Sequence, residues 1–351
     1  HPADQDSGEG SARTRRLGSG WKLVLLAWTV GVMLLCLNQQ FTLRFFADVT
    51  LLDTEYFWLL LALLLPLAFV IYPARAGRGL DHVPWYDALL FLLSTALALC
   101  WAWTARDSAA GGWEYSAPDV APKWMVWAAL ITWALVLEAL RRAGGLALLI
   151  IMGVFSLFPV FAGSMPAPLT ASSVSLFEAA SYHVFSRESI LGIPMRAFAE
   201  LVIGFLVFGT ALQYTGAGTF FINFAFSMCG HYRGGAAKVA IFSSGLLGSM
   251  SGSVISNVLT TGTMTIPAMK RTGMKPATAA AVEACASTGA VLAPPVMGAT
   301  AFVMAEFLDI PYADVALAAA VPAVLYYFAL FMQIDAHAAR HGLVGLPRGE
   351  L

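Results

Sequence analysis

The chain has 351 residues, of which 59% are hydrophobic and 12% are charged, and its mean hydropathy is +0.73. Because a soluble domain carries about 25% charged residues, this composition excludes an ordinary soluble domain and indicates a polytopic helical membrane protein. The formal net charge of −1 argues against a nucleic-acid partner. Metal-type spacing is missing around the four cysteines, so buried thiols are expected at Cys36, Cys100, Cys229 and Cys285.

The N-terminal third predicts a scaffold. Residues 1–20 are polar and rich in Gly and Ser, which predicts a disordered cytoplasmic segment. Four apolar segments follow at 23–37, 56–72, 88–104 and 123–140, and we interpret them as membrane spans. Basic residues favour the even-numbered loops and acidic residues the odd ones, which places the N terminus in the cytoplasm. Nothing in 21–143 looks catalytic or ligand-binding.

A second part, 144–351, begins at the Gly144-Gly145 hinge. A fifth span, 146–162, leads to a long periplasmic loop, 163–193, which is either a contact for an external partner or an ordinary surface loop. The sixth span, 194–213, contains Glu200. An acidic side chain within a span is a candidate coupling group, although Glu200 lies close enough to the outer end to reach the interface.

The next segment predicts a re-entrant helical hairpin over 235–269. Two apolar arms, 236–247 and 254–269, flank a stretch of Gly, Ser and Asn. An arm of about a dozen residues, rising about 1.5 Å each, reaches only the middle of a hydrocarbon core about 30 Å thick. The polar tip would therefore lie near the membrane midplane. A tightly packed transmembrane kink is the alternative interpretation.

Neutral oxygen atoms at this tip suit Na⁺, and the free N–H groups of the second arm suit an anion. From the tip, the predicted Na⁺ ligands are Ser251, Gly252, Ser253 and Asn257. The predicted substrate-binding residues are Ser251, Ser253, Asn257, Thr260 and Thr261.

A discontinuous helix is predicted over 277–308. Pro294-Pro295 interrupts the helical hydrogen bonds, so an arm 277–292 should break and resume at 296–308. Thr288, Gly289 and Gly298 flank this break and complete the predicted Na⁺ ligands. A re-entrant hairpin beside a discontinuous helix is typical of the ion and substrate sites of secondary transporters.

Glu283 lies about two turns into this discontinuous helix, near the level of Lys238 and Lys270. A structural ion pair with one of these lysines is the favoured interpretation, and a proton-coupling carboxylate is the alternative. A last span, 312–332, returns the chain to a cytoplasmic C terminus. In total the pattern predicts about eight transmembrane helices beside the hairpin.

Several short motifs between 248 and 302 resemble the large membrane subunit of TRAP (tripartite ATP-independent periplasmic) transporters. They include Ser-Gly-Ser, Thr-Thr-Gly, Ala-Ser-Thr-Gly and Pro-Pro-Val-Met-Gly. The chain is most similar to the TAXI subtype, in which the small and large membrane subunits are fused, and the likeness is dense from 192 to 327. It departs from the family pattern at four positions, Ser256, Ala290, Val291 and Ala293.

The resemblance implies that 21–143 corresponds to the small subunit and 144–351 to the first of two inverted repeats of an elevator-type transporter. It implies a bacterial inner-membrane component that imports small carboxylates with Na⁺, without an organic cofactor and without enzymatic activity. A periplasmic substrate-binding protein would deliver the substrate. The second repeat is not found in this sequence, and it lies either on another chain or in a part of the protein that the sequence does not include.

Three alternatives remain open at the level of sequence. The transporter is H⁺-coupled, or the chain is a non-transporting scaffold half, or it is an intramembrane hydrolase with Ser251 or Ser253 as nucleophile. The hydrolase needs a base within hydrogen-bond reach, and the histidines all lie in predicted loops or near span ends. The sequence contains no phosphate loop of the GxxxxGK[ST] type, so ATP is not expected to drive transport.

Overall fold

A computed structural model describes residues 14–41, 43, 51–75, 82–108, 111–117 and 119–345, and the regular structure in these ranges is entirely helical. The first seven helices are α1 (Ser19–Phe41), α2 (Asp53–Ile71), α3 (Trp85–Asp107), α4 (Lys123–Phe161), α5 (Leu176–Phe185), α6 (Ile193–Ala197) and α7 (Ile203–Tyr214). The other six are α8 (Ala217–Cys229), α9 (Gly235–Ser251), α10 (Val254–Arg271), α11 (Pro276–Thr288), α12 (Ala299–Leu308) and α13 (Tyr312–His341).

Among the described residues, six helices are long and apolar enough to cross a membrane: Ser19–Phe41, Asp53–Ile71, Trp85–Asp107, Lys123–Ser164, Ile193–Tyr214 and Tyr312–His341. Their outer faces carry large apolar side chains such as Phe155 and Leu317, which are 72% and 76% exposed, as expected where lipid replaces water. This confirms the predicted all-helical, multi-pass architecture. The predicted number of eight spans stays a prediction, because the 42-residue helical segment Lys123–Ser164 contains both the fourth and the fifth predicted span.

The hinge predicted between those two spans is present inside α4. Gly145 has φ 85° and ψ 178°, which is not helical, and the chain kinks there. Because a glycine has no Cβ, it adopts a positive φ at little cost. The hinge therefore joins two helical segments of α4 directly, with the non-helical residue Gly145 between them.

The structure divides the chain into two compact units, 1–199 and 200–351. In the first unit, α2 packs against α1, α3 and α4, and α5 packs against α4. Its largest fully buried side chains include Trp101 and Tyr56, each 1% exposed. Trp101 donates a hydrogen bond to the Thr132 hydroxyl (2.9 Å), and Tyr56 donates to the main-chain oxygen of Ala199 (3.0 Å), so both polar tips are satisfied.

Buried charges tie the helix ends of the first unit together. Asp87, which is fully buried, accepts hydrogen bonds from Arg15 and from Arg142 (2.7 Å). Arg15 also donates to the main-chain oxygen of Phe69 (2.9 Å) near the C-terminal end of α2, where helix carbonyls lack intrahelical donors. Arg142 donates in addition to Glu138 (2.7 Å).

The position of Arg15 shows that the prediction of disorder over 1–20 is partly wrong. Residues 1–13 lie outside the described part of the chain, but Arg15 is buried and paired with Asp87, and α1 begins at Ser19. The loop predicted over 163–193 is also only partly a loop. It contains α5, whose N terminus has a capping box formed by Ser175 and Glu178.

In the second unit, α9 is the central element and contacts α8, α10, α11 and α13. Most of its residues are buried, and many of them are Gly, Ala or Ser, which allow neighbouring helices to approach closely. An apolar cluster that includes Ala236, Ala240, Met269 and Ala279 joins α9 to α10 and α11. The hairpin and the first arm of the discontinuous helix therefore share one core.

The hairpin arms are longer than predicted. They comprise 17 and 18 residues, about 25–27 Å at a rise of 1.5 Å per residue. The difference arises because 248–251 continues α9 as a helix up to Gly252. Neither arm is among the six helices apolar and long enough to span a membrane, and the midplane position of the tip stays a prediction.

The discontinuous helix breaks as predicted but resumes later. A 3₁₀ turn, Gly289–Val291, ends α11, and α12 begins at Ala299 rather than at 296. Between them, Met297 has φ 52°, which no helix permits, and the Val296 N–H donates to the main-chain oxygen of Ser249 (3.0 Å). The Val296 N–H thus bonds to the hairpin instead of to a helix carbonyl, and the two prolines before it have no N–H to donate.

Candidate functional site

The hairpin tip and the helix break are in direct contact. Gly252 ends α9 with φ 58°, and a Cβ placed on it would lie 1.7 Å from the main-chain oxygen of Met297. A Cβ on Gly248 would lie 2.6 Å from the Cβ of Ala290. Only glycine fits at these two positions, so the sequence Gly-Ser-Met-Ser-Gly allows the tip to rest on the break.

The two serines of the tip bond to the hairpin backbone. Ser253 is the N-cap of α10, and its hydroxyl accepts a hydrogen bond from the N–H of Ser256 (3.3 Å). The hydroxyl of Ser251 accepts from the N–H of Ser253 (3.5 Å). Within the described ranges, no histidine or carboxylate contacts either hydroxyl, so neither serine has the base that a nucleophile requires.

Asn257, one turn beyond the tip, is 2% exposed. Its amide nitrogen donates to the main-chain oxygen of Ser244 (2.9 Å), which attaches α10 to α9. Its amide oxygen Oδ1 is buried and has no hydrogen-bond partner among the residues that the structure describes. An unsatisfied buried acceptor is costly, and a carbonyl-type oxygen of this kind fits a Na⁺ ligand.

The other predicted site residues are only partly brought together. Thr260 and Thr288 are exposed, and their hydroxyls donate to carbonyls of their own helices, those of Ser256 and Ala284. Gly289 is buried against Tyr327. Gly298 caps α12, and its N–H donates to the main-chain oxygen of Val291 (3.0 Å). The side chain of Thr288 therefore points away from the tip.

Glu283 lies in a box of hydroxyl groups from three helices. It is 1% exposed, and its Oε1 atom accepts hydrogen bonds from Thr261, from Ser287 (3.2 Å) and from Ser244 (3.4 Å). Its Oε2 atom accepts from Thr265. We call these five residues, Ser244, Thr261, Thr265, Glu283 and Ser287, the hydroxyl box.

The predicted ion pair of Glu283 with Lys238 or Lys270 is wrong. Lys238 bonds instead to Asp335 of α13 (2.5 Å), and Lys270 is exposed. Arg233 also donates to Asp335, and this hydrogen bond raises the pKa of the Arg233 guanidinium. Because α13 supplies the carboxylate for both cations, no cation remains for Glu283 in the described part of the chain.

Sequence reasoning missed the hydroxyl box, although the pattern contained a signal. Asn257, Thr261 and Thr265 recur every four residues, and so do Glu283 and Ser287, which places each set on one helix face. Glu200, the other predicted carboxylate, lies in a π-helical stretch, Phe198–Val202, and its residue is exposed. Groups of three or more His, Cys, Asp or Glu residues able to hold a metal ion do not occur in the described ranges.

Fold and site together define a multi-pass helical membrane protein that gathers its polar groups inside a hairpin and a broken helix, as secondary transporters do. The family described as "Tripartite ATP-independent periplasmic transporter, DctM component" matches residues 131–351. The chain belongs to this family. Membership makes it a component of a membrane transporter in the bacterial inner membrane.

A curated relative gives the same result over a shorter segment. The C4-dicarboxylate TRAP transporter large permease protein DctM of Pseudomonas aeruginosa is 27% identical to this chain over 186 residues. The match covers 53% of this chain and 40% of the relative, so the chain spans well under half of that protein. The TRAP resemblance is confirmed at the level of the DctM family. The TAXI subtype and the fusion with a small subunit stay predictions.

Proposed function

We propose that the chain is the membrane component of a Na⁺-coupled TRAP transporter of the TAXI subtype, which imports small carboxylates delivered by a periplasmic substrate-binding protein. Residues 21–143 would act as the small-subunit scaffold, and 144–351 as the first of two inverted repeats. The other repeat would lie on a second chain or in a continuation of this one. The family membership and the C4-dicarboxylate in the relative's name support the substrate class.

The observation that carries the Na⁺ proposal is the unsatisfied amide oxygen of Asn257. This atom is buried immediately behind the tip, and a Cβ on Gly248 would lie 3.2 Å from the Asn257 amide nitrogen. A hard cation prefers oxygen ligands, and such an ion beside Oδ1 would satisfy the orphaned acceptor. Ser251, Gly252 and Ser253, with Gly289 and Gly298 of the break, are the neighbouring candidates for further oxygen atoms.

The elevator proposal rests on how the hairpin is joined to the break. Gly252 touches Met297, and Ser249 accepts a hydrogen bond from Val296, so the two elements would move as one body. The N-terminal end of α10 presents free N–H groups and the positive end of the helix dipole, which favour a substrate carboxylate. Ser253, Thr260 and Thr261 lie along this end of α10.

The test is the stabilisation of the purified full chain by Na⁺. The unfolding midpoint is measured in detergent in NaCl and in choline chloride of equal concentration. A bound ion at one hundred times its Kd stabilises the folded state by about 2.7 kcal/mol. We expect Asn257→Ala to lose the Na⁺-specific increment, and Asn223→Ala, an exposed asparagine of α8, to keep it.

An Asn257→Ala variant with the full Na⁺ increment would contradict the proposed ion site. The transport proposal has a separate test, in which the chain is reconstituted in liposomes with a binding protein, with and without a chain that carries a second hairpin. Uptake of a C4-dicarboxylate is expected only with both. Robust uptake by the 351 residues and the binding protein alone would contradict the need for a second repeat.

A further inference from the structure

Glu283 is a buried carboxyl group without a counter-charge. The described charged or titratable side chains on the helices packed against α11 are all engaged or distant. On α9, Lys238 bonds to Asp335 of α13. On α13, Tyr326 and Tyr327 donate to the main-chain oxygens of Cys285 (2.7 Å) and Ala286 (3.2 Å). The remaining ones lie near helix ends or face outwards: Lys270, Arg271, Lys275, Cys285, Asp314, His337, Arg340 and His341.

The two threonines of the hydroxyl box are shared between Glu283 and carbonyl groups of their own helix. Each hydroxyl carries a single hydrogen, but two threonines each approach two acceptors. Thr265 lies 2.9 Å from the main-chain oxygen of Thr261 and also contacts Glu283 Oε2. Thr261 lies 2.8 Å from the main-chain oxygen of Asn257 and also contacts Oε1. A threonine that donates to its own helix leaves its close contact with Glu283 without a hydrogen.

A proton on the carboxyl group would neutralise its charge and supply the hydrogen of one of these two contacts, that with Thr265. The Glu283 O–H would donate to Thr265, whose own hydrogen would go to the carbonyl of Thr261. Ser244 and Ser287 would donate to Oε1. The group would then be neutral, so its burial would not require a cation.

We propose that the hydroxyl box is a proton-binding site and that Glu283 holds a proton shared with Thr265 in this structure. The inference rests on the geometry of the box and not on the proposed Na⁺ site, and it adds H⁺ as a coupling ion to the proposed transporter. Only the O–H bond of the carboxyl group forms or breaks. The ligand is a proton, and no redox partner is needed.

The position of the box links the proton to the hairpin. α9, α10 and α11 each contribute at least one member, and every member is at most 1% exposed. The proton therefore leaves only when one of these helices moves away from the others. Asn257, whose amide bonds to the Ser244 carbonyl, connects the box to the hairpin tip.

Infrared spectroscopy of the purified full chain at pH 7 tests the proposal without any transport or Na⁺. A neutral carboxylic acid has a carbonyl stretch that a carboxylate lacks. We expect the wild-type chain to show this band and Glu283→Gln to lose it. Glu306→Gln is the matched control, because Glu306 is a partly exposed carboxylate of α12, and it is expected to keep the band.

Thr265→Val serves as the second variant, which decides the question even if Glu283→Gln does not fold. Loss of the hydrogen bond to the threonine is expected to shift the carbonyl band. A wild-type spectrum identical to that of Glu283→Gln would show an ionised carboxylate and overturn the proposal. An unshifted band in Thr265→Val would equally overturn the shared proton.

Discussion

Asp87 in the first unit and Glu283 in the second are both buried carboxyl groups, 0% and 1% exposed. They differ in that the partners of Asp87 are charged and those of Glu283 are neutral. Asp87 bonds to two arginines whose side chains are no more than 2% exposed. Glu283 bonds only to hydroxyl groups. The same degree of burial is thus reached with fixed charge in one place and, in our proposal, with a proton in the other.

These two environments suit the two units to different roles. Arginine stays protonated at any physiological pH, so the cluster around Asp87 keeps its charges and suits a scaffold. A carboxyl group surrounded by hydroxyls changes its charge when a proton leaves, and the cost of the new charge falls on the packing of three helices. The second unit therefore contains the group whose state depends on helix movement.

The largest effect is expected for Asp87→Asn. This change removes the buried carboxylate charge that pairs with both Arg15 and Arg142. Breaking a buried ion pair costs about 3–5 kcal/mol. We expect a loss of this size in the free energy of unfolding, measured by denaturant titration in detergent.

Asp107→Asn, at the exposed C-terminal end of the same helix, is the control for Asp87→Asn and is expected to change the free energy of unfolding by less than about 0.5 kcal/mol. A cost below about 1 kcal/mol for Asp87→Asn would mean that the remaining partners of the two arginines suffice without the charge of Asp87.

An effect of intermediate size is expected for Gly252→Ala, which disturbs the contact between the hairpin tip and the break and leaves both carboxyl groups in place. Gly252→Ala places a Cβ 1.7 Å from the Met297 oxygen and forces a left-handed conformation on alanine. Overpacking of this kind costs about 1–3 kcal/mol. The expected result is a matching loss in the free energy of unfolding together with loss of the Na⁺-specific increment.

Gly204→Ala is the control for Gly252→Ala, because a Cβ on Gly204 would meet nothing within 4 Å. It should leave the free energy of unfolding and the Na⁺-specific increment at their wild-type values. If Gly252→Ala also left them unchanged, the contact between tip and break would not be needed for the site.

The smallest effect is expected for Glu283→Gln. An amide replaces a neutral acid of nearly the same shape and keeps a donor and an acceptor, so we expect a change in the free energy of unfolding within about 1 kcal/mol. The contrast with Asp87→Asn, measured in the same titration, is the sharpest form of the comparison. Equal losses for the two amides would indicate that both acids are ionised.

The helices could be predicted from the sequence because long apolar segments and glycine or proline breaks determine them locally. The kink at Gly145 and the turn at Gly252 fall where those residues predict them. The capping box of α5 is also visible in the sequence as Ser175 and Glu178, three residues apart, but a helix of 10 residues is too short to span a membrane and falls within the predicted loop 163–193.

Side-chain partners could not be predicted in the same way. The sequence pattern places Lys238 and Glu283 near the same level of the predicted membrane helices. The acid that bonds to Lys238 is nevertheless Asp335 of α13, almost a hundred residues further along the chain. Asp87 was overlooked because the apolar pattern of its span begins at the next residue. In both cases the partner is determined by the tertiary structure and cannot be deduced from the periodicity of the sequence.

The cluster around Asp87 also sets an order of events during synthesis. Its partners are far apart in the sequence, since Arg15 precedes Asp87 by 72 residues and Arg142 follows it by 55. At about 5–20 residues per second, the ribosome needs about 3–11 s to extend the chain from Asp87 to Arg142. Throughout that interval Arg15 is the only one of the two arginines that has been synthesised, so we expect the Arg15–Asp87 pair to form before Arg142 completes the cluster.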